Sequence, residues 1–172
     1  FEKNMKPTVI FLSLPKPKIE IKNYQKGVKV KLCKTKLSQN KEVSGLKHLN
    51  RLDSVLARSE WNSSNIFEGV FMDSQKNILE GTMTNIFFVK KNQLVTPKII
   101  DSGINGIMRQ VVIENAKNFF DKVIIKDVSI NEISSFDQMF LTNSVLKVLP
   151  VRFFQADRSC LLRQWRFGPG YR

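Results

Sequence analysis

The run Phe67-Glu68-Gly69-Val70-Phe71-Met72, then Asp73 to Asn77, then Ile78-Leu79-Glu80, decides the fold. Two short apolar segments flank a cluster of turn formers, so they read as short strands joined by a turn. Thr84 to Val89 and Gln93 to Thr96 repeat it with another tight polar turn. Downstream, Ile107 to Phe120 reads as a helix, with Ile107, Val111, Ile113, Ala116 and Phe120 as its apolar stripe. Val123 to Val128 is predicted as a strand, Ile130 to Ser134 as a short helix or turn, and Gln138 to Thr142 as a strand. The polar loop Asn143 to Lys147 then leads into Val148 to Val151. Upstream, Leu52, Val55, Leu56 and Ser59 give helical spacing between Asn50 and Trp61, with Asn50 as the cap and Arg58 near the end. Residues 27–33 and 7–12 read as strands, and Leu14-Pro15-Lys16-Pro17 is a stiff connector between them. Residues 34–46 are polar and read as a linker. Strands interleaved with helices predict an α/β or α+β fold with a mixed sheet.

The chain has 172 residues, 42% hydrophobic and 25% charged, enough for one domain of ordinary size and unlike a disordered or low-complexity chain. No apolar run approaches the roughly 18 residues a membrane span needs, so no membrane partner is expected. The only cysteines are Cys33 and Cys160, so a reducing compartment is expected rather than a disulfide framework, with Cys33 as a small apolar filler. The first residue is Phe1, so the expectation is a chain that lacks its natural start. The net charge of +13 is unevenly spread. Residues 1–50 hold 12 lysines, no arginine and 3 acids, whereas residues 51–150 are neutral, with 11 basic and 11 acidic residues. A nucleic-acid reader concentrates arginine and aromatics on one folded face. Here the excess is lysine-rich flank, which reads as solvated surface or as attraction for anions. Residues 155–172 lose lysine and gain arginine, as an altered reading frame, a vector-derived tail or a genuine basic tail would.

Four strings carry chemistry. They are Gly45-Leu46-Lys47-His48-Leu49-Asn50-Arg51-Leu52-Asp53, Leu79-Glu80-Gly81-Thr82-Met83-Thr84-Asn85, Gly103-Ile104-Asn105-Gly106-Ile107-Met108-Arg109-Gln110, and Leu141-Thr142-Asn143-Ser144. Alone, each is weak. A lysine before a helix is a carbonyl-reactive amine or a surface charge. A glutamate at a strand end is a buried acid facing a cation or a turn carboxylate. A Gly-Ile-Met step opening a helix offers free N–H groups to a phosphate or to water. Thr-Asn-Ser offers anion donors or a polar turn.

Together and in this order, over roughly residues 7–154, the strings resemble the fold-type IV pyridoxal-phosphate enzymes. This class includes branched-chain and D-amino-acid aminotransferases and 4-amino-4-deoxychorismate lyase. The Lys-His-Leu-Asn-Arg-Leu-Asp and Asn-Gly-Ile-Met-Arg-Gln strings look most like the lyase. The resemblance implies that residues 1–36 end an N-terminal domain and 37–46 link it onward. Residues 47–154 would form the cofactor-binding C-terminal domain, with 155–172 an atypical tail. It also implies pyridoxal 5'-phosphate as cofactor, joined to the Lys47 amine, which afterwards carries a proton. Glu80 would pair with the pyridine nitrogen. The Ile107 and Met108 N–H groups would hold the phosphate, with Ser144 adding a hydroxyl and Asn143 assisting. No metal is implied. The implied reaction splits 4-amino-4-deoxychorismate into 4-aminobenzoate and pyruvate for folate synthesis, in a cytoplasmic homodimer. A transaminase of the same fold, an inactive truncated remnant and a basic nucleic-acid-binding module are the competing readings. His48 would point away from Lys47, Asn50 and Arg51 would fix the lysine loop, and Asn85 would satisfy backbone near Glu80. The arginine expected for the phosphate has no equivalent before Arg51, so a polypeptide of this extent is expected to be poorly active.

Overall fold

The computed structural model describes residues 5–156 and the backbone of Cys160–Leu161. In chain order the elements are α1 (Ile21–Lys26), β1 (Val28–Leu32), α2 (Leu52–Arg58), β2 (Glu68–Met72), β3 (Asn77–Gly81), β4 (Asn85–Lys90) and β5 (Gln93–Pro97). Then come α3 (Ile107–Asn115), a 3-10 turn (Ala116–Asn118), β6 (Lys122–Lys126), β7 (Val128–Ser129), a second 3-10 segment (Ile130–Ser135), β8 (Gln138–Asn143), β9 (Lys147–Gln155) and β10 (Cys160–Leu161). All ten strands join one mixed sheet in the order β6-β5-β4-β8-β9-β1-β2-β3-β7, with β10 beside β9. β1 lies parallel to β2 and to β9, and β5 to β6.

This order forces the sheet to curl. Residues Thr82–Thr84 join β3 to β4, which lie five places apart on the path. Laid flat, five steps would span about 24 Å, whereas so short a link reaches roughly 14 Å. Asp127 alone separates β6 from β7, at opposite ends of the same path. The sheet therefore closes on itself, and the β3–β4 connection sits on the seam.

Curling gives the strands two buried faces, which explains their near-continuous apolar runs. Ile86 and Phe88 of β4 pack with Val30, Val70, Ile78, Met139, Leu141, Leu149 and Val151 in one cluster. Phe87 and Val89, pointing the other way, join Leu94, Phe140 and Ala116 in a second cluster against Val112 and Ile113 of α3. Phe87 stacks on Phe140 with ring centroids 5.0 Å apart. A third cluster, Cys33, Leu37, Ala57 and Phe71, seats α2 on β2.

Most expected elements are present, with four corrections. Residues 7–12 form no strand and are exposed, because a strand needs a ladder partner and the described residues supply none. The Val123–Val128 strand is broken at Asp127 into β6 and β7, which pair with different neighbours. Asn50 does not cap α2: Arg51 occupies that position with no side-chain cap bond. The apolar stripes on the helices also run off the core. Leu52, Val55 and Leu56 of α2 are exposed, and so are Ile107 and Val111 of α3, while Ser54, Ala57 and Arg109 are the buried positions. Cys33 is buried as expected, just past the end of β1. The tail 155–172 lies largely outside the described residues.

Candidate functional site

Glu80 ends the core stretch of β3 with only 3% of its surface exposed. Its Oε2 accepts the Ile104 N–H at 2.8 Å. Its Oε1 is buried with no hydrogen-bond donor, and the nearest cation is Arg51 Nη2 at 3.6 Å. Burial pushes the carboxyl up to about 7, against the pull of the Ile104 amide and Arg51. Gly103 lies against this carboxylate: a Cβ there would sit 3.3 Å from Oε2, and its φ of +94° favours glycine.

The Ile104 peptide binds three of the four strings together. Its N–H goes to Glu80, and its carbonyl accepts Asn85 Nδ2–H at 2.7 Å. Gly45 forms a parallel bridge with Ile104, its N–H donating to Gly103 O at 2.9 Å and its carbonyl accepting the Asn105 N–H at 3.0 Å. Lys47, two residues past Gly45, is exposed in the irregular segment that leads to α2. Arg51, at the α2 start, returns over the site. Its Nη2 reaches Thr82 O at 3.3 Å as well as Glu80. His48 is partly buried, and it lines a cleft of about 230 Å³ with Asn50, Arg51, Ser102 and Gly103 that does not include Lys47.

The third string runs into the first turn of α3. Gly106 is the N-cap, and the first intrahelical bond runs from the Gln110 N–H to Gly106 O at 3.1 Å. Helix geometry leaves the Ile107 and Met108 N–H groups without an intrahelical acceptor, at the positive end of the helix dipole. The Arg109 side chain is buried, donating to Asn105 Oδ1 and Pro97 O, and does not serve the helix mouth. The fourth string joins through Asn143. Its Nδ2 donates to Met83 O at 3.0 Å, and its Oδ1 accepts the Val145 and Leu146 N–H groups. That amide is committed to holding the loop, and the exposed Ser144 is the group it presents.

Sequence reasoning missed Glu68. It opens β2 with 0% exposure, and burial raises its carboxyl above the ordinary range despite hydrogen bonds from Thr82, Gly69 and Met83 and the nearby Arg58. The signal available was an acid between Phe67 and Gly69 in a strand with both neighbours apolar or small.

This arrangement suits a phosphorylated pyridine. A buried oxygen of Glu80 lacks a donor and matches a ring N–H, and a helix mouth with free amides matches a phosphate. Comparison with known proteins agrees. A family model described as amino-transferase class IV matches residues 1–154. The chain belongs to the class IV aminotransferase family. Members of this family are pyridoxal-phosphate enzymes. Aminodeoxychorismate lyase of Vibrio harveyi is 31% identical over 135 residues, covering 78% of this chain and 50% of the relative. A putative branched-chain-amino-acid aminotransferase of Methanocaldococcus jannaschii is 30% identical over 152 residues, covering 88% and 51%. The crystal structure of 4-amino-4-deoxychorismate lyase from Pseudomonas aeruginosa superposes with a TM-score of 0.82 at 33% identity, over 89% of this chain and 56% of that one. A putative branched-chain aminotransferase of Thermotoga maritima gives 0.72 at 29% identity, over 84% and 52%. The chain thus spans about half the length of the relatives it matches.

Proposed function

We propose that this class IV chain supplies the cofactor-binding part of an aminodeoxychorismate lyase, converting 4-amino-4-deoxychorismate to 4-aminobenzoate and pyruvate in folate synthesis. The observation that carries the cofactor reading is the orphaned buried oxygen of Glu80, held in place by the same Ile104 peptide that anchors the Lys47 loop. The lyase is favoured over the transaminase by the higher structural similarity, 0.82 against 0.72. The lyase-like strings around Lys47 and at 105–110 support it too.

Pyridoxal phosphate, when bound, supplies an electron sink for charge that develops at the carbon bearing the substrate nitrogen. Each residue then has a defined task. Glu80 keeps a proton on the pyridine nitrogen, and the Arg51 cation keeps Glu80 ionised when that nitrogen is charged. Ile107 and Met108 N–H groups and the Ser144 hydroxyl bind the phosphate. The Lys47 amine would hold the cofactor covalently and, once free, would take the proton from the carbon bearing the substrate nitrogen. The enolpyruvyl group leaves as pyruvate with a proton returned to its methylene carbon, and the ring becomes aromatic. A homodimer in the cytoplasm, acting on this small molecule without nucleic acid or membrane, completes the reading.

Incubating the protein with pyridoxal phosphate and 4-amino-4-deoxychorismate should release 4-aminobenzoate and pyruvate in equal amounts. Transfer of an amino group from branched-chain amino acids to a keto acid, with no 4-aminobenzoate, would establish the transaminase instead.

A further inference from the structure

Three of the four strings meet on a connection that is itself held from beneath. Thr82-Met83-Thr84 is the whole link from β3 to β4, on the seam of the curled sheet. All three residues donate to the Glu68 carboxylate. Thr82 Oγ1–H bonds Oε1, and the Met83 N–H and Thr84 Oγ1–H reach Oε2 at 3.3 and 3.2 Å. The Gly69 N–H adds 2.9 Å to Oε1, and Arg58 Nη1 stands 3.9 Å away. The carbonyls of the same link face the site. Thr82 O accepts Arg51, the cation beside Glu80, and Met83 O accepts Asn143, which shapes the Ser144 loop.

We propose that Glu68 is a positioning residue of the cofactor site: by gripping the Thr82–Thr84 link from inside the barrel, it fixes the two carbonyls that aim Arg51 and Asn143. This rests on the reading of Lys47 and Glu80 as cofactor residues. Only a carboxylate fits the task. Each of its oxygens faces one backbone N–H, from Gly69 and from Met83, and such a donor cannot reverse. An amide would turn an NH2 group toward one of them whichever way it flipped, leaving either the buried Gly69 N–H or the part-buried Met83 N–H without its acceptor.

The test compares the parent chain, Glu68→Gln and, as a matched core-loosening control, Ile133→Ala. Three quantities are read: thermal midpoint, amide hydrogen exchange, and capture of pyridoxal phosphate at Lys47 by borohydride reduction. Glu68→Gln should speed exchange roughly tenfold at Met83, Val145 and Leu146 relative to Leu94 and Ile124, and weaken cofactor capture roughly tenfold. Ile133→Ala should speed exchange without that local pattern and leave capture within about twofold, as expected for a core residue that makes no hydrogen bond to Glu80 or to the Thr82–Thr84 link. If Glu68→Gln does not fold, Thr82→Val removes the same grip from the loop side and should act in the same direction. Capture by Glu68→Gln equal to the parent, or exchange raised evenly across the sheet, overturns the proposal. Failure of the parent itself to capture the cofactor at Lys47 overturns the cofactor reading on which it stands.

Discussion

Glu80 and Lys47 are the two ends of one proposed site, and the fold treats them differently. The acid end is built into the barrel. Glu80 is 3% exposed, bonded to Ile104 and flanked by Arg51, at the end of β3 just before the link that Glu68 grips. The amine end lies on an exposed loop that runs into α2, whose Leu52, Val55 and Leu56 are exposed. The contrast teaches that this chain pre-organises the electrostatics of the site within its own core. Lys47, the amine of the proposed site, is exposed among the described residues.

The largest expected effect breaks the amine end alone. Lys47→Ala should abolish the reducible pyridoxal-phosphate adduct, read by mass spectrometry, while stability moves by no more than about 0.5 kcal/mol, as for other exposed positions. Phe71→Ala strikes the opposite kind of position. This buried ring seats α2 on the sheet, so its loss should cost about 3–5 kcal/mol in denaturant unfolding.

A third prediction sharpens the acid end. The Glu80 carboxyl ionises near 4.5 when ordinary and near 7 when folded. The unfolded chain therefore releases this proton first. The stability tied to the protonated buried acid is complete below about pH 4.5 and is lost as the pH rises toward 7. That contribution is about 3 kcal/mol, and Glu80→Gln should flatten the cofactor-free stability profile over this window by a similar amount. The smallest effect is expected at Leu49, which is fully exposed. Leu49→Ser should shift stability by less than about 0.5 kcal/mol.

The same contrast governs what the sequence disclosed. The β2 and β3 strands and the turn between them were legible because Asp73 to Asn77 is a run of turn formers between apolar segments, a local signal. Asn85 was legible as a residue that satisfies backbone near Glu80, and it bonds the Ile104 carbonyl. The α2 stripe misled because apolar spacing marks one face of a helix without saying what lies opposite it, and here Ala57 and Ser54 face the sheet. Residues 7–12 misled because strand propensity needs a partner strand. Glu68 was invisible because the donors that define it, Thr82 and Thr84, lie 14 and 16 residues away and meet it only once the sheet curls.

The central claim is that Lys47 and Glu80 serve one cofactor. The most direct test adds pyridoxal phosphate to the chain, reduces with borohydride and maps the modified peptide among the 20 lysines. The pyridoxyl group should appear on Lys47, in much lower yield in Glu80→Ala. Modification spread over other lysines, or a yield indifferent to Glu80, would contradict it.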